Sequence, residues 1–159
     1  ITHEDNLGNK GRTEAGDVQV MSAGTGIAHS EYNLEATETR IFQIWIIPNE
    51  SGSAPSWGGK PFPKGQREGF VTLASGKAGD DQSLRIRADA RLVAANLKAG
   101  EIAEYPLDSG RRAYLVPATG RIEVNGLQAQ ARDGVAIADE RVLRVTALED
   151  SEVVLVDLA

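Results

Sequence analysis

The chain has 159 residues, with 17 Lys plus Arg against 23 Asp plus Glu and a formal net charge of −6. That length allows one ordinary domain or two small ones, and a pI near 5.0 opposes a phosphate backbone, so direct nucleic-acid binding is not expected. Cysteine is absent, which removes disulfide frameworks, thiol nucleophiles and thiolate zinc sites together. The densest apolar cluster, Ile44-Trp45-Ile46-Ile47, is far shorter than the ~18 residues of a membrane span. No membrane partner is expected, and a reducing cytoplasm is the default compartment.

Apolar residues come in short bursts separated by Gly, Asn, Asp and Pro, the spacing of antiparallel sandwiches and barrels. Nothing sustains a helical period. Content of β-branched and aromatic residues predicts strands, in chain order, at Val18–Met21, Arg40–Ile47, Phe70–Ala74, Ser83–Ile86, Arg91–Leu97 and Ala113–Pro117. Further strands are expected at Arg121–Val124, Leu127–Ala131, Gly134–Ala138, Val142–Ala147 and Glu152–Leu158. Asn125-Gly126 is the favoured type I′ hairpin dipeptide. The Gly- and Pro-rich run from Ser51 to Gly65 reads as a linker, since proline lacks a donor and glycine weakens a strand; Trp57 and Phe62 within it are read as packing anchors rather than ligand-stacking groups. Ser75–Gln82, with Asp80-Asp81, reads as an exposed turn, too poor in converging oxygens for calcium.

Two histidines exist, His3 and His29. His29 and Glu31 are two apart, so in an extended strand both side chains share one face, and an imidazole beside a carboxylate is half of a mixed N/O site for a first-row metal. Taken alone, the pair reads more readily as a surface pair or a hydrogen-bonded core histidine than as a metal site. Gly24-x-Gly26 lacks the third glycine of a dinucleotide turn and the Lys-Ser/Thr of a P-loop, and no Gly-x-Ser-x-Gly elbow occurs. Arg111-Arg112 reads either as an anion clamp or as charge opening an exposed strand edge.

The longer string Gly16-Asp17-Val18-Gln19-Val20-Met21-Ser22-Ala23-Gly24-Thr25-Gly26-Ile27-Ala28-His29-Ser30-Glu31-Tyr32-Asn33 closely resembles the second metal-binding motif of the pirin family, bicupins that include quercetin 2,3-dioxygenase-like bacterial members. Thr2-His3-Glu4-Asp5-Asn6-Leu7-Gly8-Asn9 looks like that family's His-x-Asp-Ser-x-Gly-Asn strand and turn, and Gln43-Ile44-Trp45-Ile46-Ile47-Pro48 like its Gln-Ile-Trp-Ile-x-Pro strand. The resemblance implies an all-β fold of two cupin barrels: residues 1–50 as the remainder of an N-terminal metal-type cupin, 51–64 as linker, and 65–159 as a metal-free C-terminal cupin.

Carried over by residue, His29 matches the third histidine ligand and Glu31 the glutamate ligand, with Glu31 also the catalytic base. His3 aligns with a non-ligand histidine. The other two ligands belong to an H-x-H motif that the family places upstream of Thr2, so the expectation is an incomplete N-terminal barrel and weak or absent metal binding by these residues alone. An oligomer or a retained N-terminal peptide would then cover the open edge. The implied ion is divalent, iron first, with nickel, copper, manganese or zinc as alternatives. In intact form the resemblance implies a metal-dependent dioxygenase of a flavonol-like aromatic. The alternative is a metal- or redox-responsive module that binds a protein partner without catalysis.

Overall fold

The computed structural model describes residues 1–61 and 69–159, which form fifteen strands and no helix. In chain order the first eight are β1 (Thr2–Asp5), β2 (Lys10–Arg12), β3 (Val18–Ser22), β4 (His29–Tyr32), β5 (Ser56–Lys60), β6 (Val71–Ser75), β7 (Leu84–Arg85) and β8 (Ala90–Leu97). The remainder are β9 (Ile102–Pro106), β10 (Arg112–Thr119), β11 (Arg121–Val124), β12 (Leu127–Gln130), β13 (Val135–Ala138), β14 (Val142–Ala147) and β15 (Ser151–Leu158). Two units form: Ile1–Lys64 with Leu84–Ala88, and Gly65–Ser83 with Asp89–Ala159.

In the first unit, β1 is the centre of a three-stranded antiparallel sheet ordered β2-β1-β4, and β3 pairs antiparallel with β5. The β1–β2 turn is organised by one side chain: the Asp5 carboxylate accepts the Leu7 amide at 2.9 Å and the Asn9 amide at 3.0 Å, an aspartate substituting for backbone acceptors in a tight turn. Between β3 and β4, Gly24 is in the left-handed region at φ +55°, and a Cβ there would lie 2.1 Å from the Ser53 carbonyl oxygen. That carbonyl accepts the Thr25 amide at 2.9 Å, so the loop closes only around glycine.

The second unit is an antiparallel sandwich. Its sheets run β13-β10-β15-β8-β6 and β12-β11-β14-β9, and side chains from both faces, among them Val93, Leu115, Ile122, Leu143, Val145 and Leu155, form one buried cluster. Alternation explains it: along β10 and β14, buried and exposed residues take turns, which puts every second side chain between the sheets. Asn125 and Gly126 adopt φ of +46° and +87° and join β11 to β12 as the type I′ dipeptide predicts. Pro117, buried in β10, sits where the register with β15 shifts, the kind of irregularity at which a strand tolerates a residue without a donor.

Several sequence expectations are corrected. Arg40–Ile47 is not a strand; residues 33–55 join no ladder among the described residues, and Trp45 and Ile47 are 88% and 90% exposed. Propensity alone does not make a strand, because the ladder needs a partner. Ser56–Lys60, expected to be linker, is strand β5: Pro55 and Pro61 flank the segment instead of interrupting it, and it pairs with β3. Phe62 lies outside the described residues. Ile102–Pro106 was missed because its Ala-Glu-Tyr-Pro composition is poor in β-branched residues, yet it alternates strictly in burial.

Arg111 neither clamps an anion nor opens an exposed edge. It is buried and donates through Nε to Asp157, with its two remaining nitrogens on the Asp89 carboxylate at 2.9 Å and the Asp89 carbonyl at 3.0 Å. Arg112 begins β10, which has β13 on one side and β15 on the other. Asp80 is likewise engaged: Arg91 Nε reaches its carboxylate at 2.7 Å and Ser75 Oγ donates to it.

Candidate metal site

The β1–β4 ladder decides which side chains meet. His3 is registered opposite Glu31 and Asp5 opposite His29, and since residues two apart share a face, these four converge on one side of the strand pair. His29 is exposed and the Glu31 side chain 19% exposed, whereas the His3 and Asp5 side chains are buried. An exposed imidazole and a half-buried carboxylate therefore share a face with a pair that water does not reach.

The inner pair is fixed by hydrogen bonds and stacking. His3 Nε2 lies 3.0 Å from Asp5 Oδ2. Burial alone would raise the Asp5 carboxyl, but hydrogen bonds from His3, from the Asn9 side chain and from the Asn9 and Leu7 amides bring it down to about 2. With that carboxylate ionised, Nε2 is the nitrogen that carries the proton and donates. His3 Nδ1 is then turned toward Glu31 Oε1 at 3.8 Å and is buried without a hydrogen-bond partner. The His3 ring stacks on Trp57 with centroids 4.8 Å apart and 9° between planes, and on His29 at 5.6 Å and 21°. Trp57 is thus an anchor within its own unit, and the room it occupies comes from Gly11, where a Cβ would lie 2.2 Å from the indole.

Glu31 is held from the other side by Gln19 of β3, whose Nε2 donates to Glu31 Oε1. Gln19 Oε1 accepts from Trp57 Nε1 and from Thr13 Oγ1, both at 3.3 Å. The sequence put His29 and Glu31 on one face of a strand, which the β1–β4 ladder reproduces; it did not point to Gln19, Thr13, Gly11 or the packing role of His3, which come from other segments of the chain. A cavity of about 340 Å³ in this unit runs past Trp57, Gly11 and Thr13, and neither His29 nor Glu31 lines it.

Comparison with known proteins places this geometry. A family model described as the quercetinase C-terminal cupin domain matches residues 72–158, and one described as pirin matches residues 1–46. A Pseudomonas aeruginosa protein named as a candidate quercetin 2,3-dioxygenase is 71% identical over 160 residues, covering 100% of this chain and 69% of its own length. An Escherichia coli protein named quercetin 2,3-dioxygenase is 38% identical, covering 99% of this chain and 68% of its own. The chain belongs to the pirin family. The crystal structure of the E. coli protein YhhW superposes with a TM-score of 0.91 at 39% identity, over 99% of this chain and 67% of that one. A second structure, of bacterial pirin YhhW in complex with nickel(II), superposes with a TM-score of 0.88. The all-β architecture is accordingly that of a pirin-type cupin, of which the chain spans about two thirds of its relatives' length.

Pirin membership implies a divalent metal, and the residues present can be tested against one. An imidazole and a carboxylate on a shared strand face are the donor types that first-row ions take, and the buried, unpartnered Nδ1 of His3 marks a polar point beside them. The fit is in kind: His29 and Glu31 supply two donors, and no group of three or more His, Asp or Glu able to hold a metal occurs among the described residues. No helix among those residues is long and apolar enough to cross a membrane.

Proposed function

We propose that the protein is, in its intact form, a metal-dependent dioxygenase of a flavonol-like aromatic, with His29 and Glu31 as metal ligands and Glu31 as the base. The observation that carries this is the placement of His29 and Glu31 on one face of β4, registered opposite a buried Asp5–His3 pair. A bound divalent ion, iron by family habit or nickel as in the YhhW complex, would supply Lewis-acid polarisation of the substrate's oxygens. The protein's own share is positional. Glu31 Oε1 accepts from Gln19, while no hydrogen bond to Oε2 is made among the described residues, so Oε2 is the oxygen open to the ion, and a lone pair the ion leaves free on the carboxylate is where a proton from the substrate hydroxyl would rest. His3, stacked between Trp57 and His29, restricts the tilt of the His29 ring.

The test is oxygen uptake with quercetin by the full-length protein loaded with Fe(II) or Ni(II). Turnover that falls at least ~100-fold in both His29→Ala and Glu31→Ala supports the reading, the magnitude being that of lost general-base help. Absence of turnover, with capture of a specific protein partner that survives both substitutions, would replace it by the regulatory-module reading.

A further inference from the structure

Resting on that reading, we propose that Gln19 is a positioning residue which orients Glu31 by bonding one of its oxygens and turning the other, unbonded one toward the ligand. The assignment follows from the donor inventory. An indole N–H can only donate, so the Trp57 Nε1 contact at 3.3 Å fixes the near atom of the Gln19 amide as oxygen. The Thr13 hydroxyl, donating to that same oxygen at 3.3 Å, agrees. The amide NH2 must then face Glu31, and it donates to Oε1. Oε1 thereby carries a bond from the protein, whereas no hydrogen bond to Oε2 is made among the described residues, so Oε2 is the oxygen with both lone pairs open to an ion or a substrate proton.

Each link has its own structural cause. Gln19 and Trp57 lie on paired strands, with Gln19 registered to Gly59 and Met21 to Trp57, and the indole is held flat by its stack on His3. The relay therefore runs from a packed, rigid ring through an amide of fixed orientation to the carboxylate. Supporting groups of this kind commonly change metal affinity by about 10–100-fold when removed. The hydrogen bonds of Gln19, Trp57 and Thr13 all lie on the Oε1 side, so their effect is on the orientation of Glu31.

The decisive variant is Gln19→Glu, which keeps the shape and the acceptor for Trp57 but has no N–H to offer Glu31; Gln19→Met removes both bonds. In full-length protein, Co(II) titration followed by its visible d–d absorption should show affinity falling by about 10–100-fold in both variants, with a changed band pattern because Glu31 is free to turn. A second readout needs no metal. The chain contains two tryptophans, and the Trp57 indole N–H resonance should shift in Gln19→Met while that of the exposed Trp45 stays in place. Wild-type Co(II) affinity in both glutamine variants, or a Trp57 resonance indifferent to Gln19→Met, overturns the proposal. A wild-type protein that takes up no Co(II), yet shows the Gln19-dependent Trp57 shift together with a Gln19 amide resonance that moves in Glu31→Gln, refutes the metal reading alone and leaves the hydrogen-bond relay standing.

Discussion

Substituting Gly11 by alanine isolates the packing that supports the site. Gly11 sits in β2 directly opposite His3, and its φ lies outside the left-handed region, so alanine costs nothing in backbone conformation. What the new methyl meets is the indole of Trp57, at 2.2 Å from Cη2 and 2.7 Å from Cζ2. Ordinary contact begins at 3.4 Å, so the ring must retreat by about 1 Å, and overpacking of this sort typically costs about 1–3 kcal/mol. A displacement of that size also takes Nε1 off Gln19, since its present 3.3 Å leaves little reach within a hydrogen bond. With a urea slope of about 2 kcal/mol per molar, the middle of the usual range, the unfolding midpoint of the first unit should fall by roughly 0.5–1.5 M. The assay is tryptophan emission in a Trp45→Phe background, where Trp57 is the sole reporter: Gly11→Ala should shift emission to the red and lower the midpoint. In a Trp57→Phe background the same substitution should cost less than about half as much, because the smaller ring leaves room for the methyl. Unchanged emission and midpoint would refute the packing of Trp57 against β2.

Three further outcomes are expected. Asp157→Ala should destabilise the second unit by about 3–5 kcal/mol in urea or thermal unfolding, because it strands the buried Arg111 and also frees Tyr105, whose hydroxyl donates to Asp157 at 2.8 Å; a loss under about 1 kcal/mol would contradict the pairing. Asp80→Asn should lower stability at neutral pH and lose its effect in acid. Hydrogen bonds from Arg91 and Ser75 hold the Asp80 carboxyl below its ordinary 3.8, so its contribution is complete above that value and disappears as pH falls through the native pKa; a gap between wild type and variant that widens on acidification would show the sign to be wrong. Gly24→Ala should cost about 1–3 kcal/mol through its φ of +55° alone, and should also weaken Co(II) uptake by displacing the loop that leads into His29, whereas Gly126→Asn, at a position where asparagine accepts a positive φ, should leave uptake unchanged.

Most of the second unit was legible because its strands announce themselves locally. Val142–Ala147 alternates, Asn125-Gly126 signals its own turn, and the closing run Val153–Leu158 is apolar enough to sit at the centre of a sheet. The first unit was legible in its motif and not in its frame. His29 and Glu31 follow from a period of two along one strand. Gln19, Trp57 and the Gly11–Thr13 segment that supports them come from three other places in the chain, and nothing in the composition around Gly11, in Lys10-Gly11-Arg12, hints that an indole lies over it. Arg40–Ile47 failed in the opposite sense, its β-branched content describing a strand that has no partner among the described residues.

The two units are also held together by different physics. Apart from Ala88, the buried apolar residues belong to the second unit, where area removed from water does the stabilising. In the first unit the side chains of His3 and Asp5 are buried to within 1% of complete, and order comes from an ionised aspartate in a turn, a ring stack and an amide relay. Hydrogen bonds of that kind add little net stability but are costly when one partner is left unsatisfied, so the geometry they impose is sharper than the stability they contribute. Substitutions in the sandwich should therefore be felt first as lost stability, and substitutions around His3 first as a displaced Glu31. That difference is what a carboxylate needing one fixed oxygen requires of its surroundings: a directional frame, which apolar packing alone cannot provide.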